Sequence, residues 1–253
     1  MPSSLKQAAE SLQSLSLASG LDLLSYREEH VRERVSRALE REGVEDAAEL
    51  ARLLASDDHA RNRFRRSVAM VVTGLFRDVE QFQVLERELL PLVLGTRRQL
   101  RIWSAGCADG SELYSVGIVL AQLGALDRAV LLGSDILEEN LLLAERGVYG
   151  DVQLPASLRS RMRWEQRDLL HGPPPVGKWS VVLCRNVAIY LRAAAKRRLH
   201  ERLAGVLAPG GVLLLGRSEQ IFEAEAIGLE PVARHAYRKV GLGDAVSSGV
   251  SPG

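Results

Sequence analysis

The chain changes its hydrophobic rhythm near Gly95. Before it, from Leu5 to about Val72, apolar residues recur every three or four positions among arginines and glutamates, which is a helical pattern. "SYREEHVRERVSRALEREG" (Ser25 to Gly43) is the clearest case. Val31, Val35, Ala38 and Leu39 form its apolar stripe, Ser25 with Glu28 reads as a capping box, and Gly43 stops it. Shorter helices are expected at "EDAAELARLLAS" and "DDHARNRFRRSVAMVV", and another, "VEQFQVLERELLPLVL", runs up to Gly95. After Gly95, short apolar runs alternate with helical stretches. "QLRIWSAG", "RAVLLGSDI", "WSVVLCRN" and "GGVLLLGRSE" read as strands, and "EPVARHAYRKV" closes the series. "SELYSVGIVLAQLG", "LEENLLLAERG" and "AAAKRRLHERLAGVLA" read as the helices between them.

Such alternation predicts an α/β domain with a mainly parallel sheet, preceded by a small all-helical domain. The expected boundaries are a helical N-terminal domain over 1–78, a linker helix over 79–95 and the α/β domain over 96–240. The polar, Gly- and Ser-rich stretch 241–253 is expected to be a disordered tail.

Composition narrows the partners. With 253 residues, 46% apolar, 26% charged and a net charge of +1, nothing global favours nucleic acid or an anionic membrane. No apolar stretch approaches the roughly 20 residues that span a bilayer, and the N-terminus lacks a secretion-signal layout. Cys107 and Cys184 are far apart and show no metal-type spacing, so no metal is expected and a reducing, cytoplasmic setting is the default. Arg34, Arg37, Arg61, Arg63, Arg65 and Arg66 make the N-terminal helices basic. They read equally as a surface for an acidic partner and as a solvated face paired with glutamates. No wide apolar helix face stands out, and a monomer is expected.

The candidate chemistry lies at the first strand–loop–helix turn, where an open α/β sheet holds its ligand. Gly106 and Gly110 flank Cys107-Ala108-Asp109, and glycine lets backbone approach a ligand closely. Neither the dinucleotide fingerprint G-x-G-x-x-G nor a Walker lysine is present. Asp109 and Glu112 make the turn acidic, which suits a cation better than a pyrophosphate. Asp135 ends the next strand, a place where an acid commonly takes ribose hydroxyls. A ribose-bearing, cationic, phosphate-free cofactor is S-adenosylmethionine; a nicotinamide stays open, as do plain capping roles for Asp109 and Asp135. Cys107 reads as a small packed residue in this turn.

Taken in chain order, "TGLFRD" (Thr73 to Asp78), "WSAGCADGSELYS", "LLGSDI", "ERGVYG", "VVLCRNVAIYL", "LAPGGVLLLGRSE" and "YRK" make the sequence resemble the chemoreceptor glutamate methyltransferases, the CheR family. The resemblance covers nearly all of residues 15–240. It implies a helical N-terminal domain joined to a Rossmann-like, S-adenosylmethionine-dependent methyltransferase domain that releases S-adenosylhomocysteine. It further implies that Thr73 and Arg77 lie at the active site and that these two, with Gly106, Glu112 and Asp135, bind the cofactor. Asp168 and Leu169 would flank the adenine, Asn186 and Val187 would line the pocket, and Tyr190 would face the transferred methyl. The implied partner is the cytoplasmic helical region of a receptor or other signalling protein. A glutamate substrate, with an ordinary pKa near 4.3, needs no general base. It needs an oxygen aligned with the sulfonium methyl and stripped of water. Arg77 and Tyr190 are the residue types to hold it.

Three departures from the family's pattern stand out. Val71 replaces the usual asparagine, a loss of about 1–2 kcal/mol if a hydrogen bond goes with it, or roughly tenfold in binding. The family's "GEEPY" reads "GSELY", with Ser111 as a capping residue in place of one acid. Third, only "GDVQLPASLRSRM" separates Tyr149 from "RWEQRDLL", too little for the small three-stranded subdomain many members insert there. Docking of a receptor tether peptide is therefore not expected. These departures leave a second possibility, a divergent module that binds the cofactor or its product for regulation with little transfer. A nicotinamide oxidoreductase is a third, lacking the glycine fingerprint.

Overall fold

The structure, a computed structural model, describes residues 3–69 and 74–241. The chain divides into two compact units, Met1–Val72 with Tyr190–Lys196 and Thr73–Ile189 with Arg197–Gly253. Val71, Thr73 and all of the expected tail except Gly241 lie outside the described residues.

The first unit holds helices α1 (Ser3–Ser19), α2 (Glu28–Glu42), α3 (Ala47–Ser56) and α4 (Asp58–Ala69). Leu15, Val31, Ala38, Leu50, Leu54, Phe64 and Val68, spaced by helical turns, are its buried centre. Gly43 ends α2 in the left-handed region at φ 67°, as its position after the stripe predicts. The expected Ser25 cap is corrected. Ser25 sits in a 3₁₀ turn and donates its hydroxyl to Asp22, while α2 starts at Glu28 behind Arg27. Asp46 is a true cap, its Oδ1 accepting from the N–H of Ala48 and Glu49 at 2.9 and 2.8 Å. Among the arginines singled out above, Arg37 pairs with Glu33, Arg61 with Asp58 and Arg63 with Glu42 within the unit.

In the second unit, α5 (Val79–Val84), a π-turn over Leu85–Leu89 and α6 (Leu90–Leu94) form one run of helix. The stretch read as a linker contributes Phe82, Leu85, Leu89, Leu90 and Val93 to this unit's core. Then come β1 (Leu100–Ala105), α7 (Ser111–Gln122), β2 (Ala129–Asp135), α8 (Glu138–Arg146), β3 (Val148–Tyr149), β4 (Val152–Gln153) and α9 (Ala156–Arg159). They are followed by β5 (Met162–Gln166), β6 (Trp179–Cys184), α10 (Ala193–Val206), β7 (Leu207–Leu215), β8 (Leu229–Ala233) and β9 (Ala236–Lys239). The seven-stranded sheet has the order β5-β2-β1-β6-β7-β9-β8. Only β9 runs against its neighbours.

The chain leaves β1 toward β2 and β5, then returns across it to β6 and β7. This reversal puts a crevice at the carboxyl ends of β1 and β6, the place where doubly wound sheets take ligands. Strand β1 is buried at five of six positions and β6 at all six, consistent with helices covering both faces. The edge strand β5 was not among the strands anticipated. "MRWEQ" pairs only with β2 and carries polar residues at three of five positions, so it lacks the apolar run of an inner strand. Between α8 and β5 lie the two-residue hairpin β3–β4 and the one-turn helix α9, in place of a three-stranded subdomain.

Glu42 yields a test of the first unit. Arg63 binds it through two nitrogens at 3.1 and 2.6 Å, and Arg41 adds a third contact at 2.7 Å. The Arg63 hydrogen bond chiefly, then Arg41, holds the Glu42 carboxyl down at about 2. A carboxyl depressed on folding stabilises above its ordinary pKa and loses that contribution as pH falls toward the folded value. Glu42→Gln is therefore expected to melt a few degrees below the parent chain at pH 6, with the gap closing between about pH 4.5 and 2. Thermal unfolding across that range measures it.

Candidate active site

The site is built at the carboxyl ends of β1, β2, β5 and β6, all within the second unit. The chain leaving β1 bends back sharply. Gly106 N–H and Cys107 N–H both donate to Ser134 O on β2, at 2.8 and 2.9 Å. Gly106 and Gly110 sit at φ 79° and 80°, and Ala108 at φ 49°. For Ala108 this left-handed backbone is uncommon, and it is held by Asp135, whose Oδ2 accepts the Ala108 N–H at 2.9 Å. Asp135 Oδ1 meanwhile accepts from Leu137 N–H at 2.9 Å and Asn140 Nδ2 at 3.0 Å, at the start of α8. Burial, with only 7% of the residue exposed, raises the Asp135 pKa, while the bonds from Leu137, Ala108 and Asn140 pull it down. Asp135 thus shapes the turn and braces the stretch that leads into α8.

Gly106 has no room for a side chain. A Cβ there would meet Val187 Cγ2 at 2.6 Å and Leu169 Cδ1 at 3.7 Å. The fold therefore gathers Gly106, Leu169 and Val187 against one another from three separate loops. Gly110 is equally confined, its Cβ position lying 2.6 Å from Trp164 and 2.7 Å from Ala144 Cβ. Tyr149 adds a strap by donating to Asp109 O at 2.6 Å. Cys107 is a packed residue: burial raises its thiol pKa well above the usual value, so it is no ready nucleophile.

Asp168 turns the chain after β5, its Oδ1 accepting from Leu170 and His171 N–H at 2.7 and 3.1 Å. Asn186 lies at φ 62°, and the turn it begins is fastened by Glu219, a buried acid that the sequence reading left without a role. Glu219 Oε2 accepts from the N–H of Asn186 and Gly216, both at 2.8 Å, and Oε1 accepts from Ile189 N–H at 3.2 Å.

The second residue missed is Arg185, whose side chain is 3% exposed. Its Nε donates to Gln81 Oε1 at 2.9 Å and its Nη1 to Glu112 Oε2 at 3.0 Å. Nη2 donates to Arg77 O at 2.8 Å and Asp78 Oδ2 at 2.9 Å. The guanidinium also lies 5.3 Å from the centre of the Phe82 ring. Taking one member out of such a buried charged group costs about 3–5 kcal/mol, because the partners stay behind desolvated. Its only signal in the sequence was its place in "CRN", directly before Asn186.

Glu112, the acid expected to meet the cofactor, is shared between Arg185 and Ser104 Oγ, which donates to its Oε1 at 2.7 Å. Arg77 is exposed on the loop 74–78. That loop rests on α7: Ser111 Oγ accepts from Gly74 N–H at 3.3 Å and Ser115 Oγ from Phe76 N–H at 2.9 Å. Ser111 is thus no helix cap, correcting its expected role; Asp109 Oδ1 accepts the Ser111 N–H at 3.1 Å instead. Tyr190 belongs to the helical unit, where its carbonyl accepts from Arg27 N–H at 2.9 Å and its ring lies 4.9 Å from that of His30. Thr73 lies outside the described residues.

The model of the family described as "CheR methyltransferase, SAM binding domain" matches residues 71–159 and 150–233. The chain belongs to this family. A "Chemotaxis protein methyltransferase" of Listeria innocua is 28% identical over 242 residues, covering 87% of this chain and 92% of that one. "Chemotaxis protein methyltransferase 1" of Pseudomonas aeruginosa is 30% identical over 237 residues, covering 80% and 85%. "Chemotaxis protein methyltransferase Cher2" of Pseudomonas putida is 28% identical over 240 residues, covering 82% and 87%.

The family's cofactor is S-adenosylmethionine, and the residues present fit it. Carboxylates at Asp109, Glu112 and Asp135 suit a ligand with a sulfonium and an ammonium, and the apolar Leu169 and Val187 suit a purine face.

Two outcomes are expected. Gly106→Ala forces a Cβ into Val187 at a strained φ, so calorimetric titration with S-adenosylhomocysteine is expected to show affinity lowered by at least about tenfold. Glu219→Gln puts an amide donor against N–H groups and is expected to lower unfolding free energy in urea by about 1–3 kcal/mol.

Proposed function

We propose that this methyltransferase esterifies glutamate side chains on the cytoplasmic helical region of a receptor-like signalling protein, in the cytoplasm. The names of its relatives support a chemotaxis substrate. The observation that carries the reading is the exposed Arg77 on a loop whose backbone is pinned to the same guanidinium as Glu112. A substrate-facing arginine and a cofactor-facing acid are thereby held in one framework.

When bound, S-adenosylmethionine supplies an electrophilic methyl on a sulfonium and leaves as S-adenosylhomocysteine. In this reading Thr73, Arg77, Gly106, Glu112, Asp135, Asp168, Leu169, Asn186 and Val187 bind the cofactor, with Asp135 toward the ribose and Asp168 and Leu169 beside the adenine. Arg77 also holds the substrate carboxylate through its fixed fork of donors, and Tyr190 orients the attacking oxygen through its hydroxyl. One carboxylate oxygen forms the new bond to the methyl carbon as the carbon–sulfur bond breaks. Excluding water from that oxygen is the protein's main contribution. The arginine-rich N-terminal helices guide the target. With two residues per strand, β3–β4 offers no edge long enough for strand addition by a tether peptide. A monomer suffices for this chemistry.

The alternative, a regulatory module that binds S-adenosylmethionine or its product with little transfer, is favoured by one feature: Glu112 is already engaged by Arg185 and Ser104.

Titration calorimetry with S-adenosylmethionine and S-adenosylhomocysteine is expected to show micromolar binding that Asp135→Ala weakens at least about tenfold. Labelled methyl is then expected to pass to purified chemoreceptor cytoplasmic fragments as an alkali-labile ester, and Arg77→Ala to abolish it. Binding without transfer to any receptor fragment selects the regulatory reading, and alkali-stable label would show a methylated atom other than a carboxylate oxygen.

A further inference from the structure

We propose that Arg185 is a positioning residue that couples occupancy of the cofactor pocket to the conformation of the loop carrying Arg77. The inference rests on the methyltransferase reading above.

Arg185 has one rigid planar group with partners on two sides. On one side Nη1 holds Glu112, the acid at the first turn of α7. On the other, Nη2 holds the Arg77 carbonyl and the Asp78 carboxylate. A guanidinium moves as a plane, so displacement at Nη1 is carried to Nη2, which a lysine's point charge could not do. The loop it holds is sensitive to such displacement. Phe76 and Asp78 both sit in the left-handed region, at φ 54° and 60°, and persist there only while their surroundings hold them. Apart from Arg185, the Ser111 and Ser115 hydroxyls fasten this loop, and Arg217 Nη1 lies 3.6 Å from Asp78 Oδ1. Gln81 ties the base of the system to the sheet, with its Nε2 donating to Leu215 O at 2.7 Å and its Oε1 accepting from Arg185.

The direction follows from charge. The cofactor and its product both carry an ammonium group. A cation drawn to Glu112 shares that carboxylate with Arg185 and repels the guanidinium, pushing it toward Asp78 and the Arg77 carbonyl. Those two bonds shorten and loop 74–78 tightens. Binding in the pocket would therefore set Arg77 in its working position before the protein substrate arrives, and loss of the ligand would relax it.

Hydrogen–deuterium exchange on the full chain, with and without saturating S-adenosylhomocysteine, tests this. In the parent chain the ligand is expected to slow exchange at 106–112 and, by about tenfold, at 74–81. In Arg185→Lys the slowing at 106–112 should persist, while 74–81 should exchange within about twofold of the ligand-free rate. Should that variant fail to fold, Asp78→Asn removes the charge from one of the two Nη2 acceptors at the end away from Glu112 and is expected to reduce the slowing at 74–81 in part. The coupling is overturned if 74–81 is unaffected in the parent chain, or if it slows equally in the folded variant. A purely structural Arg185 would speed exchange throughout the unit with or without ligand. Absence of slowing at 106–112 in the parent chain would instead sink the methyltransferase reading itself, and this inference with it.

Discussion

The guanidinium of Arg185 is the contact on which the methyltransferase unit depends most. A buried cation is tolerable only when its donors are matched, and here they meet two carboxylates, an amide oxygen and a main-chain carbonyl. Each acceptor belongs to a piece of chain with separate business. Glu112 opens α7, Arg77 and Asp78 form the loop before α5, and Gln81 reaches β7. Because the arginine itself follows β6, the turn into Asn186 and Val187 is placed by the same group. Satisfying one buried charge thus sets the relative positions of the proposed cofactor acid, the proposed substrate arginine and the turn that carries Asn186 and Val187.

Carboxylates do the corresponding work at the other turns. Asp135 fixes Ala108 in an unfavoured backbone region, and Glu219 fixes the Asn186 turn by accepting three main-chain N–H groups. Each spends charged hydrogen-bonding capacity on backbone that no helix or strand would satisfy. Acids at the carboxyl ends of strands therefore have two uses at once. They make the crevice electrostatically suited to a cation, and they hold its walls where glycines allow loops to touch.

The departures from the family's usual residues gain meaning in this frame. The Ser111 hydroxyl receives the Gly74 N–H, so the serine read above as replacing an acid supports the loop before α5. Tyr149 belongs to the β3–β4 hairpin, which a helical turn follows, and itself donates to the Asp109 carbonyl.

Much of the fold was legible in the order of residues. Inner strands β1, β2, β6 and β7 must be apolar because both their faces are covered, so they stand out as runs. Gly106 and Gly110 mark a turn because only glycine takes such backbone without strain. Strand β5 was hidden because an edge strand with solvent on one side needs no apolar run. Ser25 and Ser111 read as caps because a cap, a local turn and a tertiary contact all use the same hydroxyl, which goes to Asp22 from Ser25 and takes the Gly74 N–H at Ser111. The chemistry of the acidic turn, with Asp135 after it, could be read from residue type alone. What only the tertiary structure decided is which partner each charge takes. Arg185 and Glu219 are unremarkable letters until folding brings residues 104 and 33 positions away within hydrogen-bond reach. Hydrophobic periodicity is a local property and survives in one dimension; satisfaction of a buried charge is a property of distant neighbours, and exists only once the chain has closed.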